Sequence, residues 1–129
     1  MYIIGINAFH GDSSACLLKD GKLVAAAEEE RFRRIKHWAG FPSQSIKWCL
    51  SEAGIKLENV NHIAINQDAK ANINKKILFA LHKRPNFKMI IDRFKNMRRR
   101  LNLKDYILNE FPDSRFNGLF HLVEHHLSH

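Results

Sequence analysis

The order of elements predicts an α/β domain on a mixed five-stranded sheet, with three strands in a meander and two more reached through helices. Three observations carry this. Asp20-Gly21, flanked by apolar runs, is a strong hairpin signal. Apolar runs open the chain at Tyr2-Ile3-Ile4-Gly5-Ile6 and return at Val60–Asn66 and Leu119–Val123. Each of the two later runs is preceded by residues of helical period. Right-handed crossovers then set the last two strands parallel to the first, in sheet order 3-2-1-4-5.

Each element has its own warrant. Phe9-His10-Gly11-Asp12-Ser13-Ser14 is a turn cluster, and Ala15-Cys16-Leu17-Leu18 is the second strand. Leu23–Ala27 is the third, running into Glu28-Glu29-Glu30, a strand end with structural charge pairs. Residues 31–40 show no clean period and read as a charged loop or short helical piece. A helix follows Pro42, with Ser43 as N-cap, Ile46, Leu50 and Ala53 at helical spacing, and Gly54 as the terminating glycine. Ile73, Ile77 and Leu81 mark a basic helix that Pro85 ends or kinks, and Phe87, Ile90, Phe94, Met97 and Leu101 mark a second amphipathic stretch. Tyr106–Phe111 is a last short helix. The order is β-β-β-α-β-α-β, with no repeat or linker.

Composition narrows the classes. The 129 residues, 45% hydrophobic and 26% charged, suit one globular domain with its own core. No apolar run reaches membrane-spanning length, and Met1–Gly5 lacks the features of a secretory signal. Cys16 and Cys49 form no C-x-x-C pair, which argues against a disulfide framework or cysteine zinc site. A cytoplasmic protein with no membrane partner is expected. The net charge of +8 is regional: residues 70–104 hold twelve basic side chains against Asp92 alone, leaving the remainder acidic. The aromatics Phe87 and Phe94 fall on an apolar stripe rather than among the charges. A solvated basic face is therefore expected there, and nucleic-acid binding is not.

His125 and His129 are four residues apart, the spacing by which one helix face offers two imidazoles to a metal. Surface or capping histidines, or a purification remnant, are the plain alternatives; Leu127 and Ser128 interrupt any tag-like run. A domain ending here stops as its next helix begins, so truncation after the fifth strand and a longer parent are expected.

Four segments in register resemble the N-terminal part of the O-carbamoyltransferase family, which includes nodulation, cephem and aminoglycoside carbamoyltransferases. They are Ile4–Cys16, Ala26–Phe32 with Arg34-Ile35-Lys36-His37, Phe41-Pro42, and Val123–His129. The resemblance implies a ribonuclease H-like half-domain of the actin-like ATPase type over residues 1–129, and a parent with a second lobe and an adenylate-forming domain. It implies ATP-dependent transfer of a carbamoyl group, through carbamoyl-adenylate made from carbamoyl phosphate and ATP, to a hydroxyl of a small-molecule or glycan acceptor. His125 and His129 then hold iron or another divalent metal beside the nucleotide phosphates, with an aspartate from beyond the present sequence. His10 and Asp12 are the candidates to orient or deprotonate the acceptor hydroxyl; otherwise Asp12-Ser13-Ser14 simply closes a turn. Gly11 and Lys36 are the nucleotide-binding candidates, Lys36 as a point charge for phosphate. Arg31 and Arg34 read as a solvated or salt-bridged loop, and Trp38 and Trp48 as packing residues. The alternatives are a tRNA threonylcarbamoyl transferase or sugar-kinase relative, and a non-catalytic basic module binding RNA or protein.

Overall fold

In the computed structural model, which describes residues 1–9, 11–66 and 103–123, β1 (Tyr2–Asn7) is the middle strand of a five-stranded sheet. Its neighbours are β2 (Ser14–Lys19), antiparallel, and β4 (His62–Ile65), parallel. β3 (Lys22–Glu28) pairs antiparallel with β2, and β5 (Leu119–Leu122) pairs parallel with β4. The order β3-β2-β1-β4-β5 is the mixed sheet that the hairpin and crossover signals predict. Asp20 and Gly21 turn the hairpin with φ of 50° and 79°, the left-handed pair that matches the twist of the flanking strands.

Between β3 and β4 lie α1 (Glu30–Arg33) and α2 (Ser43–Glu52), followed by a short 3-10 turn at Leu57–Asn59. α1 is the short helical piece, stopped by Arg34 at φ 58°. The start of α2 corrects the sequence reading. Pro42 occupies the cap position, Ser43 is the first helical residue, and its side chain caps nothing. The carboxylate of Glu29 takes that role from outside the helix, accepting from the backbone N–H groups of Gln44 at 3.2 Å and Ser45 at 2.9 Å. The other end matches expectation: Gly54, at φ 62°, donates to Ser51 O and Ile55 donates to Leu50 O, which satisfies the last carbonyls. α3 (Leu103–Glu110) begins earlier than Tyr106. The two basic helices expected over 73–101 lie outside the described residues.

Alternation along the strands decides which face is covered. Ile4, Ile6, Leu17, Ile63 and Ile65 point to one side and are buried in one core with Ile46, Cys49 and Leu50 of α2. Burying each such branched side chain stabilises by about 2 kcal/mol. Ile107, Phe111 and Phe116 extend the same core. Tyr106 stacks with Phe9 and Phe41 at centroid distances of 5.7 and 5.1 Å, which ties α3 to the loop after β1. Trp48 packs on Phe32, and Trp38 lies under the Arg33 guanidinium at 4.5 Å. Gly5, Asn7, Cys16 and Ala64 alternate with the core residues and face the other side. Among the described residues no helix is long and apolar enough to cross a membrane.

Candidate functional site

The face of the sheet opposite α2 carries, among the described residues, a concavity of about 790 Å³ at the C-terminal ends of β1 and β4. Its floor follows from register. Ala26, Cys16, Gly5 and Ala64 stand in one row across four strands, so the sheet surface there is nearly bare backbone. Gly5 leaves room for Cys16: a Cβ at that position would stand 2.8 Å from Cys16 Sγ, so the thiol would have to shift. The rim is polar, with Asn7, Ser14, Glu28, Arg31 and Asn66. Asn66 Nδ2 donates to Asn7 Oδ1 at 2.7 Å, joining the ends of β4 and β1. Asn7 Nδ2 in turn donates to the backbone carbonyl of Asp12 at 3.0 Å, so the rim runs directly into the β1–β2 turn. Among the described residues, the buried Asn66 Oδ1 has no hydrogen-bond partner.

That turn is clamped to residues 37–40 by Ser13. Its backbone N–H donates to Trp38 O at 3.0 Å, and its buried Oγ lies 2.8 Å from Trp38 O and 2.7 Å from Gly40 O. The Phe9 N–H also donates to Gly40 O, and the Glu29 N–H donates to Ser13 O. Two loops distant in sequence thereby become one unit. Across their junction Asp12 Oδ1 meets His37 Nδ1 at 2.8 Å. Both residues hold left-handed backbone, φ 64° and 53°, a conformation that costs a non-glycine residue on the order of 1 kcal/mol. The hydrogen bond from Asp12, and then its charge, raise the imidazole pKa above its ordinary value. The ring is exposed, which leaves its second nitrogen open to solvent and to a ligand.

The predicted site residues divide accordingly. Asp12 sits at the junction. Gly11, beside it, is exposed, with nothing within 4 Å of where a Cβ would stand, so neither packing nor positive φ demands glycine there. Lys36 is exposed and next to His37. His10, His125 and His129 lie outside the described residues. Among the described residues no group of three or more His, Cys, Asp or Glu side chains is placed to hold a metal. The pairing of His37 with Asp12 is invisible to spacing rules because 25 residues separate them; the sequence marks His37 only as part of the segment Arg34-Ile35-Lys36-His37 that resembles the family.

A mixed five-stranded sheet with α2 against one face thus carries a concavity at its strand ends and, where two loops meet, an exposed carboxylate–imidazole pair. The sequence matches the family described as Carbamoyltransferase N-terminus over residues 2–129, and the chain belongs to that family. The nodulation protein NolNO of Sinorhizobium fredii is 33% identical over 123 residues, 95% of this chain and 17% of that protein. An uncharacterized protein of Synechocystis is 56% identical over 62 residues, 48% of this chain and 10% of its own length. The chain thus spans less than a fifth of these relatives. Among solved structures, YeaZ from Pseudomonas aeruginosa is 20% identical, with a TM-score of 0.39 over 52% of this chain and 29% of its own.

Proposed function

We propose that residues 1–129 form the N-terminal lobe, an actin-like half-domain, of an ATP-dependent O-carbamoyltransferase, and that the Asp12–His37 pair handles the acceptor's proton. The observation that carries the reading is the 2.8 Å contact between Asp12 Oδ1 and His37 Nδ1, where the turn after β1 meets residues 37–40, in a chain of this family. The acceptor hydroxyl oxygen attacks the carbamoyl carbon of carbamoyl-adenylate. A new C–O bond forms, the bond from carbon to the phosphate oxygen breaks, and AMP leaves with the electron pair. The hydroxyl proton goes to His37 Nε2 while Asp12 holds Nδ1–H and favours the resulting imidazolium. A raised pKa makes His37 a stronger base, and the hydrogen bond to Asp12 orients its ring.

Asn7 and Asn66 offer neutral amides on the rim, Lys36 a cation for phosphate, and Gly11 a close backbone approach. His10 lies between Phe9 and Gly11 and stays a candidate for the same proton or for phosphate. Two imidazoles four residues apart suit iron or another divalent ion, so His125 and His129 would hold such a metal, which supplies positive charge beside the nucleotide phosphates.

The test uses the full-length parent with carbamoyl phosphate, ATP and a panel of small-molecule and glycan alcohols, read by the mass of the carbamoylated product. ATP-dependent transfer that falls by roughly 10²-fold or more in His37→Gln, with KM for ATP little changed, is the expected outcome. Absence of transfer to any alcohol removes the carbamoyltransferase reading. Full activity in His37→Gln removes His37 from the chemistry.

A further inference from the structure

The face of the sheet opposite α2 carries a second pair of groups: His62 begins β4, and His121 on β5 is in register with Ala64 of the concavity floor. His62 Nδ1 and His121 Nε2 lie 3.0 Å apart, with ring centroids at 5.2 Å and planes at 46°. The two histidines belong to neighbouring parallel strands, where His62 is in register with Leu119 and Ala64 with His121. They stand diagonally on one face, since Ile63 and Ile65 point into the core. The strands beneath them are pinned at both ends: the Leu119 N–H donates to Asn61 O at 2.9 Å and the Val123 N–H to Ile65 O at 2.8 Å. The geometry points to a bis-imidazole site for one borderline divalent transition metal, zinc, copper(II) or nickel(II), bridging β4 and the edge strand β5.

The donor spacing is the main argument. Two nitrogens bound at about 2.05 Å stand about 2.9 Å apart at a right angle and about 3.4 Å apart at the tetrahedral angle. The observed 3.0 Å falls inside that bite. Without metal the same spacing serves one N–H···N hydrogen bond, its direction set by the tautomers. On binding, each neutral ring keeps its proton on the nitrogen away from the metal, so no other group has to accept it. Ring nitrogens suit borderline ions, and no third side chain is required because water completes such shells. Both rings are accessible, His121 more than His62, and neither belongs to the proton-handling pair. Because the ion would join two strands of the native sheet and has no such partners in the unfolded chain, its binding adds stability.

The experiment uses the full-length protein without an affinity tag, stripped with chelator, in a His125→Ala/His129→Ala background so that the terminal histidines do not contribute. Titration with zinc chloride is followed by calorimetry and by thermal unfolding, and copper(II) binding by electron paramagnetic resonance. Expected are uptake of about one ion per chain, a rise in melting temperature with zinc, and a copper spectrum with two-nitrogen coupling. His62→Gln or His121→Gln should each weaken binding by roughly tenfold or more and abolish the thermal shift. No saturable uptake in the background protein, or equal uptake in the glutamine variants, overturns the site. A copper spectrum of the background protein lacking two-nitrogen coupling does so independently of how the variants fold.

Discussion

Glu29 Oε2 receives both polar groups of Ser45, the backbone N–H at 2.9 Å and the hydroxyl at 2.9 Å. Its other oxygen takes Arg33 Nε at 2.8 Å. A carboxylate with no exposed surface is thus ringed by donors and set against the positive end of α2. Glu29→Ala should lower unfolding free energy by on the order of 3 kcal/mol, since it strands several buried donors and removes a buried ion-pair partner. Glu29→Gln should cost less, because an amide oxygen still accepts. Denaturant melts at neutral pH check both; equal stability of Glu29→Ala and wild type would contradict the capping role.

The His37 imidazole should titrate above 6.5 because Asp12 bonds to it and lies beside it. Since the folded value exceeds the unfolded one, the pair contributes stability that is fully present below the unfolded value and lost as pH rises through the folded one. Asp12→Asn should bring the His37 pKa back toward 6.5 and remove that pH dependence. A proton NMR titration of the ring resonances reads this directly, and an unchanged pKa in Asp12→Asn would disprove the coupling.

Gly5→Ala should destabilise the sheet by about 2 kcal/mol, because the new methyl meets Cys16 Sγ in the middle of the sheet. Cys16→Ala in the same chain should recover much of the loss. A double-mutant cycle with no coupling energy would show that the clash is relieved by other means.

The two thiols should differ in reactivity. Burial among apolar neighbours pushes Cys49 up to about 11, and its Sγ contacts Ala15 O at 3.7 Å. Cys16 is half-buried and lines the concavity. Iodoacetamide at neutral pH should therefore label Cys16 well before Cys49 in the folded chain. Peptide mass mapping of briefly treated protein checks the order, and equal labelling would contradict it.

Strand order was legible because it depends on local signals: Asp20-Gly21 specifies its hairpin, and apolar runs separated by helical periods imply crossovers. The beginning of α2 was not. Ser43 looks like a cap by residue type, yet Glu29 does the capping, because β3 and α1 deliver a carboxylate to the helix start and tertiary placement outweighs the local preference. Gly54 was legible since a left-handed terminator acts on its own helix alone. At the candidate site, Asp12 and His37 each fall in segments that carry the family resemblance, whereas their contact arrives through the Ser13 clamp. No periodicity records such a contact.

Ser13 gives the Asp12–His37 pair a common mechanical mount. Because one buried residue grips Trp38 O and Gly40 O while its own backbone continues into β2, displacement of either loop carries the other with it. The carboxylate and the imidazole are therefore set across one junction that is anchored to the start of β2. A substitution at Ser13 should then disturb the alignment of Asp12 and His37 together, so one residue outside the pair sets the geometry of both of its members.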